Sequence, residues 1–284
     1  MIPAGFDYHR PDSVQAALSI LTEHGDEARV VAGGHSLIPM MKLRMAEVPH
    51  LIDLQAIAEL KGICIDGDTV TIGAMTTQHE LITDDALADF APIMREAALQ
   101  IADPQVRYMG TVGGNVANGD PGNDMPGLMQ ALDAVFTLVG PNGTREVAAR
   151  DFFEAAYMTA REDDEILTAI RFQCPIGGQA YEKQKRKIGD YATAAAAVIL
   201  TKEGGACTGA SIAMTNLSDT PVQCLASAEA LVGSACNGEA LDKAVTEMLA
   251  VIDPGEDNRG PVEFKKHVAG VILRRAIARA WDRG

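Results

Sequence analysis

"VAGGHSLIPMMKLRM", residues 31–45, closes a short apolar run with two glycines, a histidine and a serine. A tight turn needs only the glycines. A phosphate cradle also uses the donors behind them. Without a Cβ, glycine lets backbone N–H groups approach an oxyanion and adopt positive φ. A helix opening at Ser36 would add its positive end at the same place. "GTVGGNVANGDPGNDMP", residues 110–126, repeats the arrangement with Gly113-Gly114 followed by Asn115. Either glycine pair alone is ordinary turn punctuation. Two of them facing each other would hold a diphosphate from both sides.

Outward from residues 31–45 the chain alternates. "SVQAALSILTEHG" reads as a helix capped by Asp12 or Ser13 and stopped at Gly25. "ARVVAG" is a short buried strand, "SLIPMMKLRM" a helix with Ser36 at its cap and Pro39 in its first turn, and "HLIDL" another strand. Asp66-Gly67-Asp68 and Pro141-Asn142-Gly143 mark two hairpins. Helical stretches follow Thr76-Thr77 and fill "APIMREAALQIA", the latter stopped by Asp103-Pro104. The segment 110–127 reads as a glycine-rich loop, and "EILTAIRFQ" as a strand. A break at Pro175, Gly177 and Gly178 separates residues 1–176, with subdomains of about 1–56 and 57–176, from residues 177–284. Beyond it three strands precede three helices, an α+β pattern. In the last helix Phe264, Val268, Val271 and Ile272 share one face.

The bulk numbers exclude several classes. The 284 residues carry a net charge of −15, which argues against nucleic acid and anionic membranes as partners. No apolar run approaches the roughly 18 residues of a membrane span, and "MIPAGFDYHRPDS" has no secretion pattern. Five scattered cysteines without C-x-x-C, and six histidines without ligand spacing, predict no metal site in this chain. G-x-G-x-x-G, G-K-[ST], G-x-S-x-G and H-E-x-x-H are all absent. No general acid or nucleophile stands out, so no catalytic residue is assigned.

Two further segments bear on the glycine pairs. "NGDPGNDMP" supplies Asp120, Asn123 and Asp124, where a carboxylate beyond a phosphate loop would accept from a ribose; the same composition also builds a plain turn. "YEKQKRKIGDY" gathers Lys183, Lys185, Arg186 and Lys187 in an acidic chain, with Tyr181, Lys183, Lys185 and Lys187 on one face of a strand. That face is a lysine-defended edge or a positive wall beside an anionic cofactor. Tyr191 follows, within reach of a ring system.

"AGGHS" at 32–36, "TVGGN" at 111–115 with Asp124 behind it, "KIGDYA" at 187–192 and "DNRGPVEFKKHVAGVILRRAI" near the C-terminus together resemble the FAD-binding medium subunit of molybdenum hydroxylases, above all the aerobic carbon monoxide dehydrogenase branch. The resemblance spans nearly the whole chain. Val112 replaces the family's usual isoleucine, and no cysteine-rich insert for an iron–sulfur cluster is present. The resemblance implies an α+β protein: a two-subdomain FAD-binding fold of the vanillyl-alcohol-oxidase (PCMH) type, then a C-terminal α+β domain with a small antiparallel sheet. It implies that the backbone of Ala32, Gly33, Gly34, His35 and Ser36, and of Thr111, Gly113, Gly114 and Asn115, binds the FAD diphosphate and its flanks. Asp124 would hold the ribose or adenine side, and Leu167, Lys183 or Lys187, and Tyr191 would surround the flavin.

It further implies a cytoplasmic electron-transfer subunit, at most peripheral at the inner face of the membrane. A large molybdenum-binding subunit and a small 2Fe-2S subunit would be its partners, holding the molybdopterin and the clusters. This chain's FAD would pass electrons from them to an external acceptor such as a quinone, NAD or oxygen. Two other readings stand beside it: a self-sufficient flavin reductase using a nicotinamide nucleotide, like the enolpyruvyl sugar-nucleotide reductases, and a non-catalytic assembly module.

Overall fold

Three sheets in chain order organise the molecule, which the computed structural model describes over residues 2–284. The first contains β1 (Asp7–His9), β2 (Ala28–Val31) and β3 (His50–Asp53) in the order β1-β3-β2, all parallel. Parallel neighbours require crossovers. These are α1 (Val14–His24) and α2 (Leu37–Lys42). Ser13 caps α1 by accepting from the Ala16 amide, and Gly25 ends it at a φ of +51°. Val14, Ala17, Leu18 and Leu21 bury one stripe of α1 against Ala28 and Ile52.

The second sheet is antiparallel. It holds β4 (Ile63–Asp66), β5 (Thr69–Gly73), β6 (Val135–Gly140) and β7 (Gly143–Ala148), then, past a small ribbon of β8 (Phe153–Ala155) and β9 (Met158–Thr159), β10 (Ile166–Gln173). Its order is β4-β5-β10-β6-β7. Between β5 and β6 come α3 (Gln78–Thr83), α4 (Asp85–Phe90), α5 (Pro92–Gln100), α6 (Pro104–Met109), α7 (Val112–Ala117) and α8 (Asp124–Ala131); α9 (Ala149–Phe152) follows β7.

Two sequence readings change here. Asp103-Pro104 does not stop a helix: α5 ends at Gln100, and Asp103 instead opens α6 by accepting from the Val106 amide at 3.0 Å, with proline in the first turn. The segment 110–127 is not one loop, because Thr111 caps α7 through its hydroxyl and places Gly113 and Gly114 inside that helix.

The third sheet is the antiparallel meander β11 (Gly178–Gln184), β12 (Ala194–Glu203), β13 (Ala206–Thr215) and β14 (Val222–Gln223). The helices α10 (Leu225–Glu229), α11 (Gly238–Val251) and α12 (Val262–Arg283) follow. Strand β12 shows why it is rich in alanine. Ala194, Ala196, Val198 and Leu200 face the core under α11 and α12, while Ala195, Ala197 and Ile199 face a second core shared with the helices of the middle segment. With side chains alternating across a strand, both faces are buried, and small residues let both layers come close. Gly127 of α8 shows the tightness: a Cβ there would lie 2.2 Å from the Thr215 hydroxyl.

Three further readings are corrected. The strand predicted through Lys187 stops at Gln184, and the helix expected over "PVQCLASAEALVG" shrinks to α10. Phe264 leaves the buried face of α12 to lie over Gly260, and its place inside goes to Lys265, which donates to the Gly255 carbonyl at 2.7 Å and pairs with Asp257 at 3.0 Å. No helix of the described residues is long and apolar enough to cross a membrane.

Candidate cofactor site

A cavity of about 490 Å³ opens where the three parts meet, within the size range of cofactor clefts. One wall is the turn from β2 into α2. It stands at the C-terminal end of a parallel strand, the usual ligand position in α/β sheets. Gly34 takes a φ of +73° to make this turn. Ile38 then donates to the Gly34 carbonyl at 3.0 Å, which closes the first turn of α2. Among the described residues, the amides of Gly33, Gly34, His35, Ser36 and Leu37 have no acceptor within the chain. Five free donors in sequence form an anion-binding concavity. Ser36 holds the cap position, yet its hydroxyl makes no capping bond.

The chain entering α7 packs directly against the first turn. A Cβ on Gly33 would lie 2.4 Å from the Met109 carbonyl oxygen and 2.7 Å from the Gly110 Cα. Gly113 is pressed on Ala74 in the same way, at 2.5 Å. Here the amides are already used. Val112 donates to Thr76 and Gly113 to Ala74, both at 2.9 Å, Gly114 donates to the Thr111 hydroxyl, and Asn115 to the Thr111 carbonyl. The backbone donors of the cavity therefore come from one side, and α7 forms its floor.

Asp124, in the first turn of α8, lines the cavity but is committed elsewhere. Its Oδ1 accepts from the Tyr181 hydroxyl at 2.5 Å and its Oδ2 from Lys183 Nζ at 2.7 Å, with the lysine side chain only 1% exposed. Burial first, then the Asp124 charge, pushes the Tyr181 phenol well above its ordinary value. This buried triad ties β11 to α8, one half of the chain to the other.

Of the residues singled out in the sequence, Ala32 to Ser36, Thr111, Gly113 to Asn115, Asp124, Leu167, Lys183 and Tyr191 all line the cavity. Lys187 does not; it is exposed beyond the end of β11, in the turn where Arg186 pairs with Asp190 at 2.9 Å and Gly189 has a φ of +83°. Lys185 is also outside the cavity lining but stays on the side of Lys183: both donate to the Gln100 carbonyl, and Lys185 Nζ donates to Gln100 Oε1 at 2.8 Å. Tyr191 separates this cavity from a smaller one of about 250 Å³ whose walls include Asp120, Tyr157 and Arg259. The Arg259 guanidinium lies 5.4 Å from its ring centre. Burial, then Asp120 and Tyr157, pushes its phenol up to about 12.

Two wall residues had no signal in the sequence. Gln78, the first residue of α3, is 1% exposed, and its Nε2 and Oε1 both lack a partner among the described residues. A glutamine at a helix start usually faces water, so nothing in "TTQHE" marks it. Arg161 also lines the cavity; burial lowers its guanidinium below the usual arginine value, and Asp163, 3.8 Å away, opposes this.

Five free amides, two orphaned polar atoms on a buried carboxamide and a glycine cradle fit an elongated anionic cofactor with hydrogen-bonding ends, as FAD is. Comparisons with known proteins agree. Residues 4–173 match the family model described as FAD binding domain in molybdopterin dehydrogenase, and residues 179–280 match the CO dehydrogenase flavoprotein C-terminal domain. The carbon monoxide dehydrogenase medium chain of Afipia carboxidovorans is 58% identical over 99% of this chain and 98% of that one. The glyceraldehyde dehydrogenase medium chain of Sulfolobus acidocaldarius is 33% identical over 98% and 99%. A solved structure of reconstituted CO dehydrogenase from Oligotropha carboxidovorans superposes with a TM-score of 0.98, at 57% identity over the full length of both chains. The chain belongs to the family of FAD-binding medium subunits of the molybdopterin dehydrogenases, as an FAD-carrying oxidoreductase subunit whose family keeps molybdenum and iron–sulfur clusters on other subunits.

Proposed function

We propose that this chain is the flavin-carrying electron outlet of a three-subunit molybdenum dehydrogenase. A 2Fe-2S partner delivers electrons, and an external acceptor removes them. The observation that carries the reading is the run of free amides from Gly33 to Leu37 inside the cavity. Bound FAD supplies the redox chemistry, taking electrons singly or in pairs.

The chain's own residues bind and orient. The amides of Gly33 to Leu37 would hold the diphosphate with fixed dipoles, which need no reorganisation when the anion arrives. Thr111, Gly114 and Asn115 would form the floor beneath it, with Gly114 packed against Ala32. Gln78 would pair its carboxamide with a polar edge of the cofactor, because leaving both atoms unpaired costs about 1–3 kcal/mol each. Leu167 and Tyr191 would lie along the ring system. Lys183 would present a fixed positive charge in the wall, held in place by Asp124. Lys187 and the Asp124 carboxylate have no part in direct binding on this reading.

Medium chains of a carbon monoxide dehydrogenase and a glyceraldehyde dehydrogenase match over 98% and 99% of their length. The substrate is therefore set by another subunit, and the higher identity to the carbon monoxide enzyme favours carbon monoxide. The test is the visible spectrum of the chain purified alone and with its partner subunits. FAD released on denaturation, after absorption near ~450 nm, is the expected result. A colourless complex overturns the reading.

A further inference from the structure

We infer that the chain carries a binding site for a first-row divalent transition metal, made by His9, His24 and His50 at the far end of the parallel sheet from the amide cradle. These residues are remote in sequence, so no spacing motif reveals them. The fold gathers them: His9 ends β1, His24 ends α1, and His50 begins β3. His9 and His50 lie on adjacent parallel strands, where His9 pairs in register with Ile52. They are therefore two residues apart along the sheet and point to the same face, the one covered by α1.

The geometry is that of a ligand set. One ring nitrogen from each of the three histidines lies within 4.8 Å of the others. His9 Nε2 and His50 Nδ1 are 3.1 Å apart. Two nitrogens at tetrahedral angles on one zinc ion, at Zn–N distances of about 2.0–2.1 Å, stand roughly 3.3 Å apart. His24 and His50 stack with ring centres 3.7 Å apart and planes tilted by 10°, so one ring must turn about χ2 until the two planes meet at the ion. Asp7 Oδ2 stands 3.9 Å from His50 Nδ1 but outside the mutually close set, which leaves the fourth position to water. Three imidazoles suit Zn²⁺, Co²⁺ or Ni²⁺ and disfavour Mg²⁺ and Ca²⁺, which take oxygen ligands. All three histidines are half-buried, which leaves the site open to an ion from solution. A bound ion would join β1, α1 and β3, the layer from which the cradle rises.

The test uses the tag-free full chain after chelator treatment. Co²⁺ titration followed by visible absorption should show the ligand-field bands of a tetrahedral ion, saturating at one ion per chain. Zn²⁺ should displace it and raise the melting temperature by several degrees, because an ion that binds only the folded state stabilises it. His24→Gln and His9→Gln should each weaken binding at least tenfold, while His267→Gln, outside the cluster, should leave it unchanged. Circular dichroism of each variant without metal shows whether the fold is retained. If His24→Gln does not fold, the loss on His9→Gln decides. Absence of ligand-field bands, or binding unmoved by these substitutions in folded protein, overturns the site and leaves the three rings as a packing cluster.

Discussion

At residue scale, one atom decides whether the cradle can exist. Any side chain at position 33 pushes a carbon against the Met109 carbonyl, and backbone cannot swing aside as a side-chain tip can. Gly33→Ala should cost about 1–3 kcal/mol as overpacking and should abolish flavin retention. Gly255→Ala, which meets nothing within 4 Å, is the control and should change neither denaturation midpoint nor flavin content. Asp124 separates two readings of itself. If it served only the cofactor, Asp124→Asn would leave the flavin-free chain as stable as before. With Tyr181 and Lys183 both on its carboxylate, the substitution should instead cost about 3–5 kcal/mol in urea unfolding of flavin-free protein. Asp124 lines the cavity, but its carboxylate is engaged by Tyr181 and Lys183, which the sequence reading did not foresee. The motif marks the position, but only tertiary contact shows that its partner lies 59 residues on.

At the scale of elements, glycine pairs were legible and their local structure was not. Gly33-Gly34 follows a strand and makes a true turn. Gly113-Gly114 looks the same in sequence, yet Thr111 turns it into the first turn of α7. A hydroxyl at the cap position outweighs the poor helix propensity of two glycines when α7 is also held by Thr76 and Ala74. Thr111→Ala should therefore cost about 1 kcal/mol of unfolding free energy, and Thr111→Ser should keep most of it. Chemical denaturation of the two variants checks this. The same lesson holds for Asp103-Pro104, where proline fits the start of a helix as readily as it blocks a continuation. Strand β11 was predicted too long because alternation alone cannot see the Arg186–Asp190 pair that bends the chain. The strands β2, β3 and β12 were plain in the sequence, since apolar runs between turn residues admit few other structures.

At the scale of the whole molecule, acid stability should be governed by carboxylates already engaged with cations. The Arg145 guanidinium donates to both oxygens of Glu165 at 2.6 Å and holds its carboxyl below the ordinary value of 4.5, against the opposing effect of burial. For Asp190, burial works upward but the Arg186 hydrogen bond and charge outweigh it; Asp257 is lowered likewise, by its backbone bond from Arg259 and by Lys265. A carboxyl lowered in the folded state binds fewer protons there than in the unfolded chain. Its stabilisation is complete above the unfolded value and disappears as pH falls through the folded one. The urea midpoint should hold steady from neutral pH and decline below about 4.5. Glu165→Gln should start lower at neutral pH and decline less steeply in acid. Fold class was readable from strand and helix order. The joint between the two halves was not, since Tyr181, Ala192, Ala195, Ala197, Ile199 and Ala213 enter a core otherwise made before residue 173.

That joint has a consequence for how the protein is made. A ribosome releases the glycine turn and α7 well before β11, and Lys183, Tyr181 and Tyr191 emerge when nearly two-thirds of the chain is out. Strand β11 is then backed by α12, the last helix to appear; a Cβ on Gly178 would lie 1.8 Å from the Ala280 carbonyl, so close is their fit. A nascent chain can fold its first two sheets while translation continues, because domains form as they leave the ribosome. The walled cavity cannot close around a dinucleotide until α12 has packed on β11. Cofactor capture is timed by geometry to follow the emergence of α12, and a chain cut short within that helix would be expected to emerge from the ribosome colourless.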